Sequence, residues 1–241
     1  MKCHLLATAA VVAVALLAGG CQSSPPISVV DAKFRKTFDK MPVDAVKASE
    51  IRGLYEVYSG GKLFYFAPRE NLLIFGELYS VDGRSVSQEK AERYVSERAI
   101  AVEPDVGTVV GDGDQELIAF IDPSCGHCRE AHRWLESRNF AGMRVRFIFT
   151  NVDARTPMFP QVAQFLCAPE HLRREALRQV YAGAAAEPGE KLLFCDAAAN
   201  QLAKQAAVAK SLGIDGTPTF VVNNQTVLGF QRERLESLLS H

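Results

Sequence analysis

The stretch that decides the fold is residues 120–128, which read Phe-Ile-Asp-Pro-Ser-Cys-Gly-His-Cys. The apolar run Leu117 to Ile121 has the length and composition of a short buried strand. The residues from Cys125 to Glu136 are expected to form a helix. A strand that runs directly into a helix with two cysteines in its first turn is the context in which Cys-x-x-Cys indicates thiol–disulfide exchange.

The start of that helix favours an ionised Cys125. Its first turn carries unpaired N–H groups and a partial positive charge, and both stabilise a thiolate. The thiolate is the attacking species, yet at an ordinary cysteine pKa of about 8.5 only about 3 % is ionised at pH 7. A protonated His127 would add a cation facing the sulfur. We therefore predict that Cys125 is the nucleophile and that Cys128, deeper in the helix, is the resolving thiol.

Two other interpretations of the cysteine pair are a zinc site and a structural disulfide. Zinc needs four ligands, and a second close pair would be the usual sign of them. Cys167 and Cys195 lie far apart in a helical stretch instead. We expect neither a metal nor a cofactor, and the strand–helix context favours redox chemistry over a structural bridge.

A second motif, Gly216-Thr217-Pro218, stands before the apolar run Thr219 to Val222. Proline at the start of a strand can simply reflect its missing N–H, which suits strand starts and edges. The functional alternative is a cis Thr217–Pro218 bond packed against the redox pair. The backbone of Thr217 would then be left to pair with an extended client segment. Because the proline motif comes after a Cys-x-x-Cys motif in the chain, the functional interpretation is favoured.

The first twenty residues are interpreted as a secretory signal peptide, because the apolar run Leu5 to Leu17 is too short to span a bilayer and small residues follow it. Cys21 then resembles a lipidated lipoprotein cysteine, although Ala18 stands where leucine is usual. We expect residues 1–20 to be removed, Cys21 to be lipidated and 21–28 to be a polar tether. The alternative is a plain secreted protein in which Cys21 is incidental.

Export leads to an oxidising compartment, where disulfides persist. Without the signal peptide and Cys21, four cysteines remain: Cys125, Cys128, Cys167 and Cys195. Three pairings are formally possible, and the simplest joins Cys125 to Cys128 and Cys167 to Cys195. The net charge of −1 and the lack of a basic stripe argue against nucleic acid as a partner.

The rest of the chain divides into three parts. Residues 29–84 combine an amphipathic helix, Val29 to Lys40, with strands that turn at Gly60-Gly61. A unit of this size buries too little surface to be stable alone, and pairing with a second copy is one remedy. Residues 85–104 are expected to form a linker helix, and 105–241 alternate strands and helices as an α/β domain does.

These motifs together resemble the DsbC/DsbG family of thiol:disulfide interchange proteins. The resemblance implies a cystatin-like α+β dimerisation domain, a linker helix and an α/β thioredoxin-like domain with a helical insertion. It also implies a structural disulfide between Cys167 and Cys195, a cis-proline motif at Thr217-Pro218, a homodimer and a periplasmic location. Reduction by a membrane electron donor of the DsbD type is implied as well. The intervening Gly126-His127 departs from the Gly-Tyr of many DsbC proteins and is similar to that of eukaryotic disulfide isomerases.

The main functional prediction is an isomerase or reductase of wrong disulfides in exported proteins. A redox-independent holdase is an alternative, motivated by the aromatic residues of the first sheet, although we expect those rings to fill that unit's own core. A DsbG-like reductase of sulfenylated cysteines is another. Because Gln22 rather than Asp follows Cys21, an outer-membrane anchor is favoured over an inner-membrane one.

Several other residues receive ordinary structural interpretations. His132 is expected to be a surface or half-buried histidine, Trp134 a core residue and Asp122 a carboxylate at the strand end. A solvated helix face is expected for Arg173, Arg174 and Arg178.

Overall fold

The computed structural model describes residues 24–182, 195 and 197–240, so the predicted signal peptide and Cys21 lie outside the described residues. The helices are α1 (Ile27–Thr37), α2 (Val86–Ile100), α3 (Gly126–Ser137), α4 (Phe159–Cys167), α5 (Glu170–Ala182), α6 (Ala197–Leu212) and α7 (Arg232–Leu239). The strands are β1 (Ala45–Ala48), β2 (Tyr55–Ser59), β3 (Lys62–Ala67), β4 (Leu72–Ile74), β5 (Thr108–Val110), β6 (Gln115–Ile121), β7 (Met143–Phe149), β8 (Thr219–Val222) and β9 (Gln225–Leu228). Among the described residues, we find no helix with the length and apolar character needed to cross a bilayer.

The N-terminal unit is an antiparallel sheet of strand order β1-β2-β3-β4 with α1 packed on one face. Gly60 and Gly61 form the predicted hairpin turn, and both have positive φ (53° and 73°), as a two-residue turn of this kind requires. Helix α1 begins at Ile27, inside the predicted tether, and ends at Thr37 rather than Lys40. The sequence predicts a strand over Leu72 to Tyr79, but β4 ends at Ile74.

The aromatic residues of this sheet are buried. Each is at most 6 % exposed: Tyr55, Tyr58, Phe64, Tyr65 and Phe66. Phe34 of α1 packs edge-on against Phe66 at a centroid separation of 5.2 Å. Tyr55, Phe64 and Phe66 fill the unit's own core as predicted. Tyr58 and Tyr65 instead contact Tyr94 and Ser87 of α2. All five rings are buried within the chain, which removes the motive for the holdase alternative.

The linker helix α2 contacts both halves of the chain. Ser85 caps it by accepting a hydrogen bond from the N–H of Gln88 (3.1 Å). On one side Lys90 forms an ion pair with the buried carboxylate of Glu56. On the other, the hydroxyl of Ser96 donates to the carbonyl of Asn224 (2.8 Å). The helix is therefore anchored to both units, although it ends at Ile100 and is shorter than the predicted 85–104.

The C-terminal sheet has the order β5-β7-β6-β8-β9, so β6 lies at its centre. Strand β6 is parallel to β7 and antiparallel to β8. Alternate residues of β6 face opposite sides: Leu117 and Ile121 join the core under α3, while Ile118 and Phe120 pack with α6. Pro104 and the glycines up to Gly113 predict a loop at the domain boundary, but Thr108–Val110 forms strand β5 there. A strand of three residues at a sheet edge is held by its pairing with β7 and leaves no clear sequence pattern.

The sequence predicts two or three helices within Gln161 to Leu212, and helices α4, α5 and α6 occupy this region. In the structure a disulfide joins Cys167, at the end of α4, to Cys195, just before α6, with a Cα–Cα distance of 5.7 Å. Helix α5 therefore lies within a segment that is closed by this bridge.

Candidate active site

The turn between β6 and α3 is built by Asp122. Its carboxylate accepts hydrogen bonds from the backbone N–H (2.9 Å) and the hydroxyl (2.6 Å) of Ser124. Its carbonyl accepts from the N–H of Cys125 (3.0 Å). This Asx-type turn ends the strand and places Cys125 at the N-cap of α3, with extended backbone angles. Short polar side chains before the motif therefore give the nucleophile candidate its position.

Cys125 is partly exposed, and its thiol donates to the carbonyl of Thr217 (3.3 Å). Partial burial raises its pKa, but hydrogen bonds to the sulfur from the N–H of Cys128 and the hydroxyl of Thr217 more than offset that effect. The resulting pKa lies below the ordinary value for a cysteine. This is the direction predicted for a thiol at a helix N-terminus.

Cys128 lies one turn further into the helix and is 1 % exposed. Burial raises its pKa to about 12, although the N–H of Asp122, 3.5 Å from the sulfur, acts in the opposite direction. Both cysteines are free thiols, so the structure describes the dithiol form. Two sulfurs on one helical turn therefore differ in both access and acidity.

Thr217 and Pro218 lie across from the cysteines at the same edge of the sheet. The peptide bond between them is cis, and Pro218 is buried. Thr219 begins β8 and pairs with Phe120 of β6, which brings Thr217 to the level of Asp122. The sequence motif and the cysteine pair are therefore brought together.

His127 contributes its backbone more than its ring. The N–H of His127 is among the groups that lower the pKa of Cys125. Its imidazole is exposed, and Nδ1 lies 3.2 Å from the carboxylate of Glu130. The imidazole of His127 therefore pairs with Glu130, whereas the sequence predicts a cation that faces the sulfur.

Comparison with known proteins agrees with this geometry. Residues 102–236 match the family described as "Thioredoxin-like domain", and residues 21–88 match the family described as "Disulfide bond isomerase protein N-terminal domain". The chain belongs to the DsbC family of thioredoxin-like proteins. Its two-part architecture, an N-terminal DsbC-type domain followed by a thioredoxin-like domain, is the fold class predicted from the sequence.

Relatives named DsbC are similar to this chain over most of its length or over part of it. "Thiol:disulfide interchange protein DsbC" of Escherichia coli K12 is 24 % identical over 218 residues, 88 % of each chain. "Probable thiol:disulfide interchange protein DsbC" of Bordetella pertussis is 31 % identical over 115 residues, 46 % of this chain and 41 % of the relative. A solved structure, the thiol-disulfide exchange protein alpha-DsbA2 from Wolbachia pipientis, covers 63 % of this chain and 97 % of its own with a TM-score of 0.50 and 12 % identity, which supports the fold alone.

These findings establish an enzyme of thiol–disulfide exchange, an oxidoreductase or isomerase of the DsbC type. Within the described residues, no group of three or more His, Cys, Asp or Glu side chains converges as a metal site would.

Sequence reasoning missed several residues around the DsbC-type site. The side-chain amide of Asn151 donates to the carboxylate of Asp122 (3.2 Å), and Asn151 has a φ of 45°. The parallel pairing of β6 and β7 would have placed it here, since both strands end at the same rim. The guanidinium of Arg129 donates to the carbonyl of Ser124 (3.1 Å). Tyr181, at the end of α5, packs against the core that includes Cys128, and no local signal pointed to it.

The structural interpretations of nearby residues met mixed outcomes. Trp134 is a core residue, 3 % exposed, as predicted. The prediction for His132 was wrong, because it is 7 % exposed and α5 covers it. Arg174 and Arg178 do not form a purely solvated face, since both bind the carboxylate of Glu136 on α3. Helix packing decides these positions, and the local sequence does not report it.

Proposed function

We propose that the chain reduces or isomerises wrong disulfides in exported proteins and that Cys125 is its nucleophile. The Cys125 thiolate attacks a client disulfide, forms a mixed disulfide and expels one client thiolate. A second client thiol then attacks the mixed disulfide and restores Cys125, which completes isomerisation. In the reductive route Cys128 attacks Cys125, forms the 125–128 disulfide and releases the second client thiolate. The observation that carries this proposal is the contrast between a partly exposed Cys125 with a lowered pKa and a buried Cys128 with a raised pKa.

Thr217 and Pro218 are proposed to hold the client beside the sulfur. The carbonyl of Thr217 accepts from the Cys125 thiol in the dithiol form. Once Cys125 loses its proton it can no longer donate, so the same carbonyl becomes available to an N–H of an extended client segment. Backbone pairing of this kind accepts many client sequences, because it does not depend on their side chains.

Replacement of each redox cysteine tests these roles. We expect Cys125→Ala to abolish both insulin reduction and refolding of scrambled ribonuclease. Cys128→Ala should retain attack but accumulate mixed disulfides that resist release, visible as higher-mass species on non-reducing gels. Full activity of the Cys125→Ala protein would exclude Cys125 as the nucleophile. The disulfide between Cys167 and Cys195 is proposed to be structural, so both variants should retain it.

We further propose that residues 29–84 form the dimerisation domain of a homodimer, joined by the linker helix 85–104 to the catalytic domain, 105–241. Strand β4 is the edge of the N-terminal sheet, and its neighbourhood is apolar and exposed: Leu72 is 59 % and Phe75 70 % exposed. An unpaired apolar edge is suited to pairing with a second copy. Light scattering should give twice the chain mass, and Leu72→Lys should shift the protein towards the monomer. A monomeric parent protein would overturn this proposal.

Export, anchoring and electron supply are proposed from the sequence and the family. Residues 1–20 would direct export to the periplasm, and a lipid on Cys21 would hold the protein at a membrane, with the outer membrane favoured. Radiolabelled palmitate should enter the parent chain but not the Cys21→Ser variant. The reductive route consumes two electrons per client disulfide, so a membrane donor of the DsbD type would return the redox pair to its dithiol form.

A further inference from the structure

Helices α3 and α5 run antiparallel and contact each other at two points. At one, the carboxylate of Glu136 binds the guanidinium groups of Arg174 (2.9 Å) and Arg178 (3.1 Å). At the other, the rings of His132 and Tyr181 stack with centroids 4.3 Å apart and planes at 21°. Glu136 lies near the end of α3 while Arg174 lies near the start of α5, so the end of α5 returns to the start of α3. That start carries the redox pair.

Tyr181 therefore lies beside the buried side of the cysteines. On α3, Cys128 and His132 are four residues apart and share one face of the helix. The Tyr181 ring is partly buried against the core that contains Cys128. Burial raises the pKa of its phenol well above the ordinary value, and negative charge on Cys128, Asp122 and Cys125 raises it further. The stack on His132 and the packing against this core place the phenol on the Cys128 side of α3.

The buried position of His132 is energetically unfavourable. Its side chain is buried, and Nε2 has no hydrogen-bond partner among the described residues, since the nearest carboxylate oxygen, on Glu136, is 3.8 Å away. Buried polar atoms are normally satisfied, so an exception on the active-site helix calls for an explanation. A leucine would fill a core site without this penalty, but an imidazole gives a flat face on which a tyrosine ring can stack.

We propose that Tyr181, held in place by the ring of His132, is a positioning residue that excludes water from Cys128 and thereby sets the lifetime of the mixed disulfide. This inference rests on the proposed function. Cys128 can resolve the mixed disulfide only as a thiolate. The groups that face its sulfur are the Cys125 thiol, the backbone N–H of Asp122 and the hydroxyl of Thr217. Burial raises the pKa of Cys128 to about 12, so its thiolate is scarce at pH 7. Slow resolution gives client thiols time to attack, which favours isomerisation over reduction.

A two-step reaction with dithiobis(nitrobenzoate) separates the two cysteines. Cys125 attacks one equivalent of the reagent, releases one nitrothiobenzoate and forms a mixed disulfide. Cys128 then attacks the Cys125 sulfur, forms the 125–128 disulfide and releases the second nitrothiobenzoate. Both releases are followed by absorbance after rapid mixing. In protein prepared without residues 1–20 and without the lipid, Cys21→Ser removes a competing thiol from the measurement.

We expect Tyr181→Ala and His132→Ala to accelerate the second phase and to leave the first unchanged. Each unit by which the Cys128 pKa falls makes its thiolate ten times more abundant but less nucleophilic, so the net gain is about threefold to fourfold. Tyr181→Phe keeps the ring and should behave like the parent protein. Leu172→Ala, a truncation at an exposed site on the same helix, should also leave both phases unchanged.

The outcomes distinguish this inference from the function on which it rests. A first phase that persists in Cys125→Ala would overturn the role of Cys125 itself. A normal first phase with an unchanged or slower second phase in Tyr181→Ala would overturn the shielding role while leaving the proposed function intact. Equal changes in both phases would also overturn it, because they would indicate a general disturbance of the site. If Tyr181→Ala does not fold, Tyr181→Leu provides the same comparison.

Discussion

The hydroxyl of Thr217 is expected to make Cys125 acidic, and its removal gives a measurable shift. This hydroxyl lowers the pKa of Cys125 because it donates to the thiolate. A hydrogen bond to a charged group contributes about 1.5–3 kcal/mol, against about 0.5–1.5 kcal/mol for a neutral pair. The difference of about 1–1.5 kcal/mol corresponds to about one pH unit. Because Cys125 is partly exposed, water replaces part of the lost bond, and we expect the smaller end of that range in Thr217→Val.

The assay follows the thiolate directly. Its ultraviolet absorbance is recorded against pH in a Cys128→Ala background, so that Cys125 is the thiol that titrates. The Thr217→Val midpoint should lie above that of the parent, and alkylation by iodoacetamide at neutral pH should slow by up to about tenfold if the parent thiol is largely ionised there. Thr217→Ser keeps the hydroxyl and should keep the parent midpoint. Equal midpoints for the valine, serine and parent proteins would refute the assignment of this hydroxyl to the sulfur.

Two further predictions concern stability. Burial lowers the pKa of His132 to about 4 from an ordinary 6.5, so the unfolded chain binds this proton first as the pH falls. The contribution of neutral His132 to the free energy of unfolding is fully present above pH 6.5. It is lost as the pH falls through 4, which lowers the free energy of unfolding by up to about 3 kcal/mol. In urea unfolding between pH 7 and pH 4, the free energy of unfolding of His132→Gln should fall less steeply with pH than that of the parent protein. The same pH dependence in both proteins would contradict this assignment to His132. Lys90→Met leaves the carboxylate of Glu56, 3 % exposed, without its cation and should cost about 3 kcal/mol, seen as a lower Tm. Lys204→Met, which breaks an exposed ion pair, should cost less than about 1 kcal/mol, and similar losses in both variants would contradict the role of burial.

The sequence predicts the fold well where local pattern and long-range packing agree. The apolar run before Cys125 predicts β6, and the diglycine at Gly60-Gly61 predicts the first hairpin, because each signal lies within a few residues. The pairing of Asn223 and Asn224 predicts the turn after β8, and both residues have positive φ in the structure. Strand β5 was missed, since three residues at a sheet edge are held by pairing with β7 rather than by their own pattern.

The sequence predicted the motif residues of the candidate site but not the residues that pack around them. Cys125 and Thr217 were singled out by residue type and chain order, and the structure places the sulfur of one 3.3 Å from the carbonyl of the other. Tyr181 and His132 could not be found in this way. Their significance arises from the packing of α5 on α3, and tyrosine and histidine are unremarkable on an amphipathic helix. The prediction for the His127 ring did not include Glu130, three residues later, whose carboxylate lies 3.2 Å from Nδ1.

The opposed acidities of Cys125 and Cys128 follow from where a helix begins and what covers it. The sulfur at the N-cap receives backbone N–H groups that have no partner within the helix, whereas the sulfur one turn later faces the core and loses its solvent. If both thiols were acidic, the second would displace each client almost as soon as it was bound, and net reduction would dominate. If both were buried, no client would be attacked. An isomerase needs fast attack by Cys125 and slow resolution by Cys128. The partly exposed start of α3 allows the attack, and the cover of α5 on the inner side of α3 slows the resolution.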